Sequence, residues 1–285
     1  MKRISNLVVE SSYHDKPIVT DVIFEKNQQK KPVVIFCHGY KGYKDWGAWD
    51  LVGTTFAENQ FFFVKFNFSH NGGTENEPID FPDLEAFSEN NYTTELNDLQ
   101  DVIEWISTNR DYNKEMDSHN ITLIGHSRGG GIVVIKASEN KKVTRVITWN
   151  GVSDFGARFP KDEALELWKK KEVRFVENGR TKQQMPHKYQ FYQDFIANED
   201  RLTIETAVKK MTIPQLIING SSDVVIVPES GIQMNLWNPQ SKRVLIDGMN
   251  HTLGSKHPWN DVKLPSYLEN VAQQSMSFIV KNSDS

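Results

Sequence analysis

Cysteine is all but missing from this 285-residue sequence, where Cys37 stands alone, so no internal disulfide can form and a reducing compartment suits the chain. Neither sign of charge prevails. With 33 basic against 37 acidic residues and a formal net charge of -4, no global field draws nucleic acid or an anionic membrane surface. No run approaches the roughly 18 apolar residues of a membrane-spanning helix. The opening MKRISNLVVESSYHDK lacks the apolar core and small-residue cleavage site of a signal peptide. There is no internal repeat, low-complexity tract or linker. No G-x-G-x-x-G or Walker pattern opens a helix, and no His, Cys or carboxylate cluster has metal-ligand spacing. These absences lead to the expectation of a soluble cytoplasmic protein that needs no cofactor or metal and works on a small molecule, with a homo-oligomer left open.

What is present is a packed globule's composition, 38% hydrophobic and 11% aromatic, long enough for one large core with an insertion. Its most informative stretch is ITLIGHSRGGGIVVIK, residues 121–136, which reads as strand, tight turn and helix. Gly125-His126-Ser127-Arg128-Gly129 fits G-x-S-x-G, a turn that raises a serine hydroxyl above a sheet edge. Glycine two residues before and after the serine has a steric reason, since a Cβ there would press on neighbouring backbone. The positive end of the following helix would face an anion forming at Ser127.

Around this stretch the chain alternates. Residues 4–10 and 18–25 read as an antiparallel opening pair. Residues 32–37 form an unbroken apolar run, the mark of a strand buried on both faces, and His38-Gly39-Tyr40-Lys41-Gly42 is the loop after it. Residues 46–59 predict a helix, 61–68 a strand, and 69–73 a loop in which His70 or Asn71 could reach a site mouth. Residues 74–91, acidic and holding Pro78 and Pro82, read as a surface excursion. Residues 93–109 place Leu96, Leu99, Val102, Ile103 and Ile106 on one helical face, with Trp105 a packing residue. Strands follow at 143–149, 214–220 and 243–246, with helices at 229–237 and 261–280. This order predicts an α/β protein with a mostly parallel sheet covered on both faces by right-handed crossovers.

Between about 153 and 211 the alternation breaks, and the segment is far longer than a usual connection. It reads as a cap inserted into a single domain spanning 1–285. Asn178-Gly179 suggests a hairpin turn, Lys169-Lys170-Lys171 a solvated helix face, and Trp168, Phe175, Tyr189, Phe191, Tyr192 and Phe195 a source of aromatic wall above Ser127.

Ser127, Asp223 and His251 follow in that order, each after a parallel strand, and such loops gather at one sheet edge. The residue types suit nucleophilic catalysis. A serine hydroxyl needs a base to take its proton, imidazole can accept and return one, and a carboxylate fixes the imidazole tautomer. Asp154 competes for the acid and His257 for the base, while His126, inside the turn, reads as structural. Cys37 reads as a small buried hydrophobe.

His38-Gly39, the GHSRG turn, Gly220-x-x-Asp223 and His251 make the chain resemble the α/β-hydrolase superfamily over almost its whole length. HGYKGYKDWG at 38–47 and FNFSHNG at 66–72 resemble bacterial cinnamoyl and feruloyl esterases and prolyl-oligopeptidase-like or dienelactone-hydrolase-like proteins. Dienelactone hydrolases use a cysteine nucleophile, whereas position 127 is serine, so that particular chemistry is in doubt. The resemblance implies an α/β-hydrolase fold and a serine hydrolase acting on a carboxylic ester through an acyl-enzyme. It also implies an oxyanion hole made by the backbone N–H groups of Tyr40 and Arg128. A short peptide or acylated amino acid as substrate is the second expectation, and a non-catalytic binding protein of the same fold the third.

Overall fold

The computed structural model describes residues 1–283. Ten strands are formed. Two open the chain, β1 (Lys2–Val9) and β2 (Ile18–Phe24), and the alternating part runs β3 (Lys31–Cys37), α1 (Trp49–Glu58), β4 (Phe62–Phe66), α2 (Leu84–Glu89), α3 (Tyr92–Thr108), β5 (Met116–His126), α4 (Arg128–Glu139) and β6 (Val143–Trp149). Next come α5 (Asp162–Lys171), β7 (Val173–Glu177), β8 (Gln184–Lys188), α6 (Gln190–Ala197), α7 (Glu199–Leu202) and α8 (Ile204–Lys209). The chain closes with β9 (Gln215–Gly220), α9 (Glu229–Trp237), β10 (Lys242–Ile246) and α10 (Ser266–Lys281).

Eight strands make one sheet in the order β1-β2-β4-β3-β5-β6-β9-β10. The pairs β1/β2 and β2/β4 are antiparallel, and every pair from β4/β3 to β9/β10 is parallel. The central strands are buried along nearly their whole length, as a sheet covered on both faces requires. One face packs on α3 through Leu96, Leu99, Val102, Ile103 and Ile106 and on α4 through Ile132 and Ile135. The other packs on α1 and α10 through Val52, Phe56, Leu268, Val271 and Ile279. This is the mostly parallel, doubly covered sheet expected from the alternation, in the α/β-hydrolase arrangement that the resemblance implies.

Three local expectations are corrected. Residues 74–91 are not a plain surface excursion, because Phe81, Phe87 and α2 are buried with Tyr43 and Met185 beneath β8. The last helix starts at Ser266 and not at 261, since Pro265 has no N–H to give and is favourable only before or at a helix start. The hairpin at Asn178-Gly179 is formed, but its second strand starts only at Gln184. Asn178 N–H donates to the Gln183 carbonyl at 2.8 Å and Lys182 N–H to Asn178 at 2.9 Å, so residues 178–183 form the loop.

Within residues 153–211, α5, the β7/β8 hairpin and α6 lie over the end of the sheet that carries Ser127, whereas α8 packs its Ile204, Ala207 and Val208 into the core beside α4. The α8 end of that segment is thus crossover helix. Lys169, Lys170 and Lys171 are exposed.

Candidate active site

Ser127 sits between the end of β5 and the first turn of α4 with φ 56° and ψ −118°. A side chain in that left-handed region is strained and is held there only because the surroundings fit closely. A Cβ on Gly125 would stand 2.2 Å from the Gly129 carbonyl oxygen, and one on Gly129 would stand 2.4 Å from the Cys37 carbonyl oxygen. Both contacts are impossible, so the two glycines let β5, α4 and the end of β3 converge.

The loop after β9 carries Asp223 and the loop after β10 carries His251. His251 Nδ1 lies 2.7 Å from Asp223 Oδ2, and its Nε2 lies 3.1 Å from Ser127 Oγ. With Nδ1–H donated to the carboxylate, Nε2 is the acceptor for the serine hydroxyl. Burial works against the Asp223 charge. The hydrogen bond from His251 and those from the Ile226 and Val225 N–H groups, at 2.9 and 2.8 Å, outweigh it and hold the carboxyl below its ordinary value.

One side chain joins the loops that carry these groups. Asn150, buried at the end of β6, accepts the Gly220 N–H at 2.9 Å and donates to the carbonyls of Asn250 and His251 at 3.0 and 3.2 Å. His126 adds a second tie, its Nε2 lying 2.8 Å from the His251 carbonyl. Burial drives its pKa down to about 3, so the ring is neutral and Nε2–H is the donor.

The loop after β3 brings Gly39 against Ser127, where a Cβ would stand 2.9 Å from the serine Cβ. His38 shapes this loop. Its Nε2 accepts the Phe68 N–H at 3.3 Å, which leaves Nδ1–H to donate to the Gly39 carbonyl at 2.9 Å, and burial keeps the ring neutral with a pKa pushed down to about 4. Asn71 supports the same loop by donating to the Gly42 carbonyl at 3.1 Å. The backbone N–H groups of Tyr40 and Arg128 have no acceptor among the described residues. Arg128 follows Ser127 directly in the chain, and the loop that carries Tyr40 meets the serine at Gly39.

The competing candidates lie elsewhere. Asp154 is exposed and accepts the Ala157 N–H, and His257 accepts the Gly47 N–H at 2.9 Å beside Tyr43 and Trp46. Burial pushes the Cys37 thiol well up. Three carboxylates, those of Asp21, Asp45 and Asp50, come within 4.8 Å of one another. The Lys65 ammonium, bonded to all three, already supplies the cation that such a group would seek.

A cavity of about 560 Å³ opens above Ser127 and His251. Trp168 and Phe191 from the cap line it, with Tyr92 and Phe155. Phe175 is 58% exposed, Phe195 is buried in the main core on the α3/α4 face of the sheet, and Tyr189 and Tyr192 pack against that core. Sequence reading missed the polar half of the wall. The Arg128 guanidinium stacks over Tyr40 at 4.4 Å and pairs with Glu95 at 3.1 Å. Burial pushes the Glu95 carboxyl up in spite of that pair. Tyr40 Oη lies 2.7 Å from His187 Nε2, and burial sends His187 down to about 3. Glu95 did leave a signal, because it shares the apolar face of α3 with Tyr92, Leu96 and Leu99, where a lone carboxylate needs a buried partner.

A sequence model of the alpha/beta hydrolase fold matches residues 32–167. No curated protein matches the chain. Similar solved structures include Est1E from Butyrivibrio proteoclasticus with ferulic acid bound, with a TM-score of 0.71 at 17% identity, covering 98% of this chain and 100% of that one. DcsB in complex with its substrate analogue has a TM-score of 0.72 at 17% identity over 98% and 99% of the two chains. A dienelactone hydrolase from Anabaena variabilis has a TM-score of 0.64 at 14% identity over 98% and 97%. At these identities the likeness is one of fold. No helix of the described residues is long and apolar enough to cross a membrane.

Proposed function

We propose that this chain, which has the α/β-hydrolase fold, is a serine hydrolase that cleaves a small carboxylic ester through an acyl-enzyme. The observation that carries the reading is the continuous hydrogen-bonded relay from Asp223 through His251 to Ser127, with two free amides beside it. In this reading His251 Nε2 takes the Ser127 proton as Oγ attacks the ester carbonyl. The resulting oxyanion accepts the N–H groups of Tyr40 and Arg128, and the strained serine backbone keeps Oγ at the cavity floor. The same imidazolium returns the proton to the departing alcohol. Water then repeats the sequence on the acyl-enzyme to release the acid. Asp223 fixes the imidazole tautomer and stabilises its charged form without itself taking a proton. A cytoplasmic setting suits the single buried cysteine.

The test is labelling by a fluorophosphonate together with turnover of matched aryl esters and anilides. Covalent labelling at Ser127 and ester hydrolysis, both lost in Ser127→Ala, are expected. Labelling that survives the substitution overturns the reading, and anilide cleavage as fast as ester cleavage would move the protein to amide or peptide substrates.

A further inference from the structure

The cavity above Ser127 is lined by four cations, Lys41, Arg128, Arg158 and Arg174, and by no aspartate or glutamate, in a protein whose net charge is -4. Arg128 is answered by Glu95. The other three have no ion-pair partner among the described residues. Lys41 Nζ donates to the Glu177 carbonyl at 3.2 Å, Arg158 Nη2 to the Val225 carbonyl at 2.9 Å, and Arg174 lies over the Trp168 ring at 5.2 Å. Each contact fixes the side chain yet uses one N–H at most, and a guanidinium has five to give. Elsewhere on the surface both cases occur: Arg180 pairs with Asp80, Arg201 with Glu139, and Lys188 with Glu85 and Glu89, whereas Lys169, Lys170 and Lys171 are unpaired among the described residues but spread along an exposed helix and not gathered around a cavity.

Like charges around one concave wall repel each other, and low-dielectric surroundings strengthen that repulsion. Such an arrangement raises the local concentration of an anion, and guanidinium forks match a carboxylate in two-point geometry. The remaining wall is aromatic and aliphatic. Resting on the reading of Ser127 as an ester-cleaving nucleophile, we propose that the substrate is an anionic ester, with an apolar body and an ionised carboxylate away from the scissile bond, held by Lys41, Arg158 and Arg174. Arg158 and Arg174 come from the segment 153–211 and Lys41 from the loop after β3, so the cations stand on both sides of the cavity mouth.

Two pairs of aryl esters test this. One pair carries a free or a methyl-capped carboxylate at the far end of the acyl chain, and the other carries it on the alcohol. For wild type the charged member of one pair is expected to have kcat/KM higher by roughly tenfold or more, the scale of a hydrogen bond to a charged group. The pair that shows it tells which side of the scissile bond faces the cations. The ratio should fall toward one in Arg174→Gln and in Arg158→Gln, and also in wild type at high salt. Calorimetric titration of Ser127→Ala with the same four esters reads binding without turnover. Preference for the capped member, or no preference, in both pairs and in both readouts overturns the anionic-ester inference and leaves the hydrolase reading intact. Absence of turnover with a calorimetric preference for the charged member does the opposite. A preference that persists undiminished in both arginine variants also overturns the assignment.

Discussion

Two groups of charged side chains, one beneath the start of α1 and one around the cavity, use the same residue types to opposite ends. In the first, Lys65 and Lys44 are buried against Asp21 and Asp45, with Asp50 reached by Lys65 and by Arg3. Three cations meet three carboxylates, and Lys65 lies at 0% side-chain exposure with partners at 2.8 Å in Asp21 and 2.6 Å in Asp50. Burial alone would discharge these groups, but the mutual attraction holds Asp21 and Asp50 below their usual range and Lys65 above its own. In the second group Lys41, Arg158 and Arg174 face open space without a carboxylate. A cluster that closes on itself serves the fold. A cluster left with unused donors has the capacity to bind an anion, as proposed above.

The comparison predicts which measurement each substitution will move. The largest effect is expected at Ser127. Replacing it with Ala should lower ester turnover by roughly 10⁴-fold or more with little change in melting temperature, and a stable variant that keeps its activity would break the division at its sharpest point. Next comes Lys65→Met, which leaves three carboxylates to share Lys44 and Arg3 and should cost about 3 kcal/mol of stability. Denaturant unfolding reads this, while kcat per folded molecule should hold.

Acidification tests a third group, the neutral imidazoles around the cavity floor and wall. His38, His126 and His187 are neutral in the fold, with pKa values pushed to about 4, about 3 and about 3, below the unfolded value near 6.5. The unfolded chain therefore binds more protons as pH drops. Their contribution is complete above pH 6.5 and is lost as pH falls from there toward the folded values, by about 2 kcal/mol at most for each at pH 5. Thermal melts at pH 7.5 and 5 should show the decline, and His126→Gln should shrink it. The smallest expected effect is on the open side: Arg174→Gln should change unfolding free energy by less than about 0.5 kcal/mol, and a larger loss in urea titration would mark it as a structural residue.

Much of the fold could be read from the sequence because its causes are local. Unbroken apolar runs such as residues 33–37 and 61–64 declared buried strands, and the face of α3 was fixed by spacing. The close approach of β5, α4 and β3 demanded glycine at 125 and 129. Chain order and position after parallel strands were enough to bring Ser127, Asp223 and His251 to one edge. What escaped was set by contacts between distant segments. Phe81 and Phe87 lie in a proline-bearing, acidic stretch without periodicity, and Tyr43 together with Met185 of the β7/β8 hairpin explains their burial. Arg158 and Arg174 carried no signal at all, because an unpaired cation is defined by what is missing around it in space. His187, one of eight histidines, became distinguishable only through Tyr40.

Asn150 divides the molecule in another way. Its amide joins the strand ends that carry Asp223 and His251 without touching the cap, so the tie between these two loops belongs to the sheet. The wall above it, by contrast, comes largely from a separate excursion of the chain. A lineage could exchange that excursion, and with it the choice of substrate, while inheriting the same chemical step unchanged.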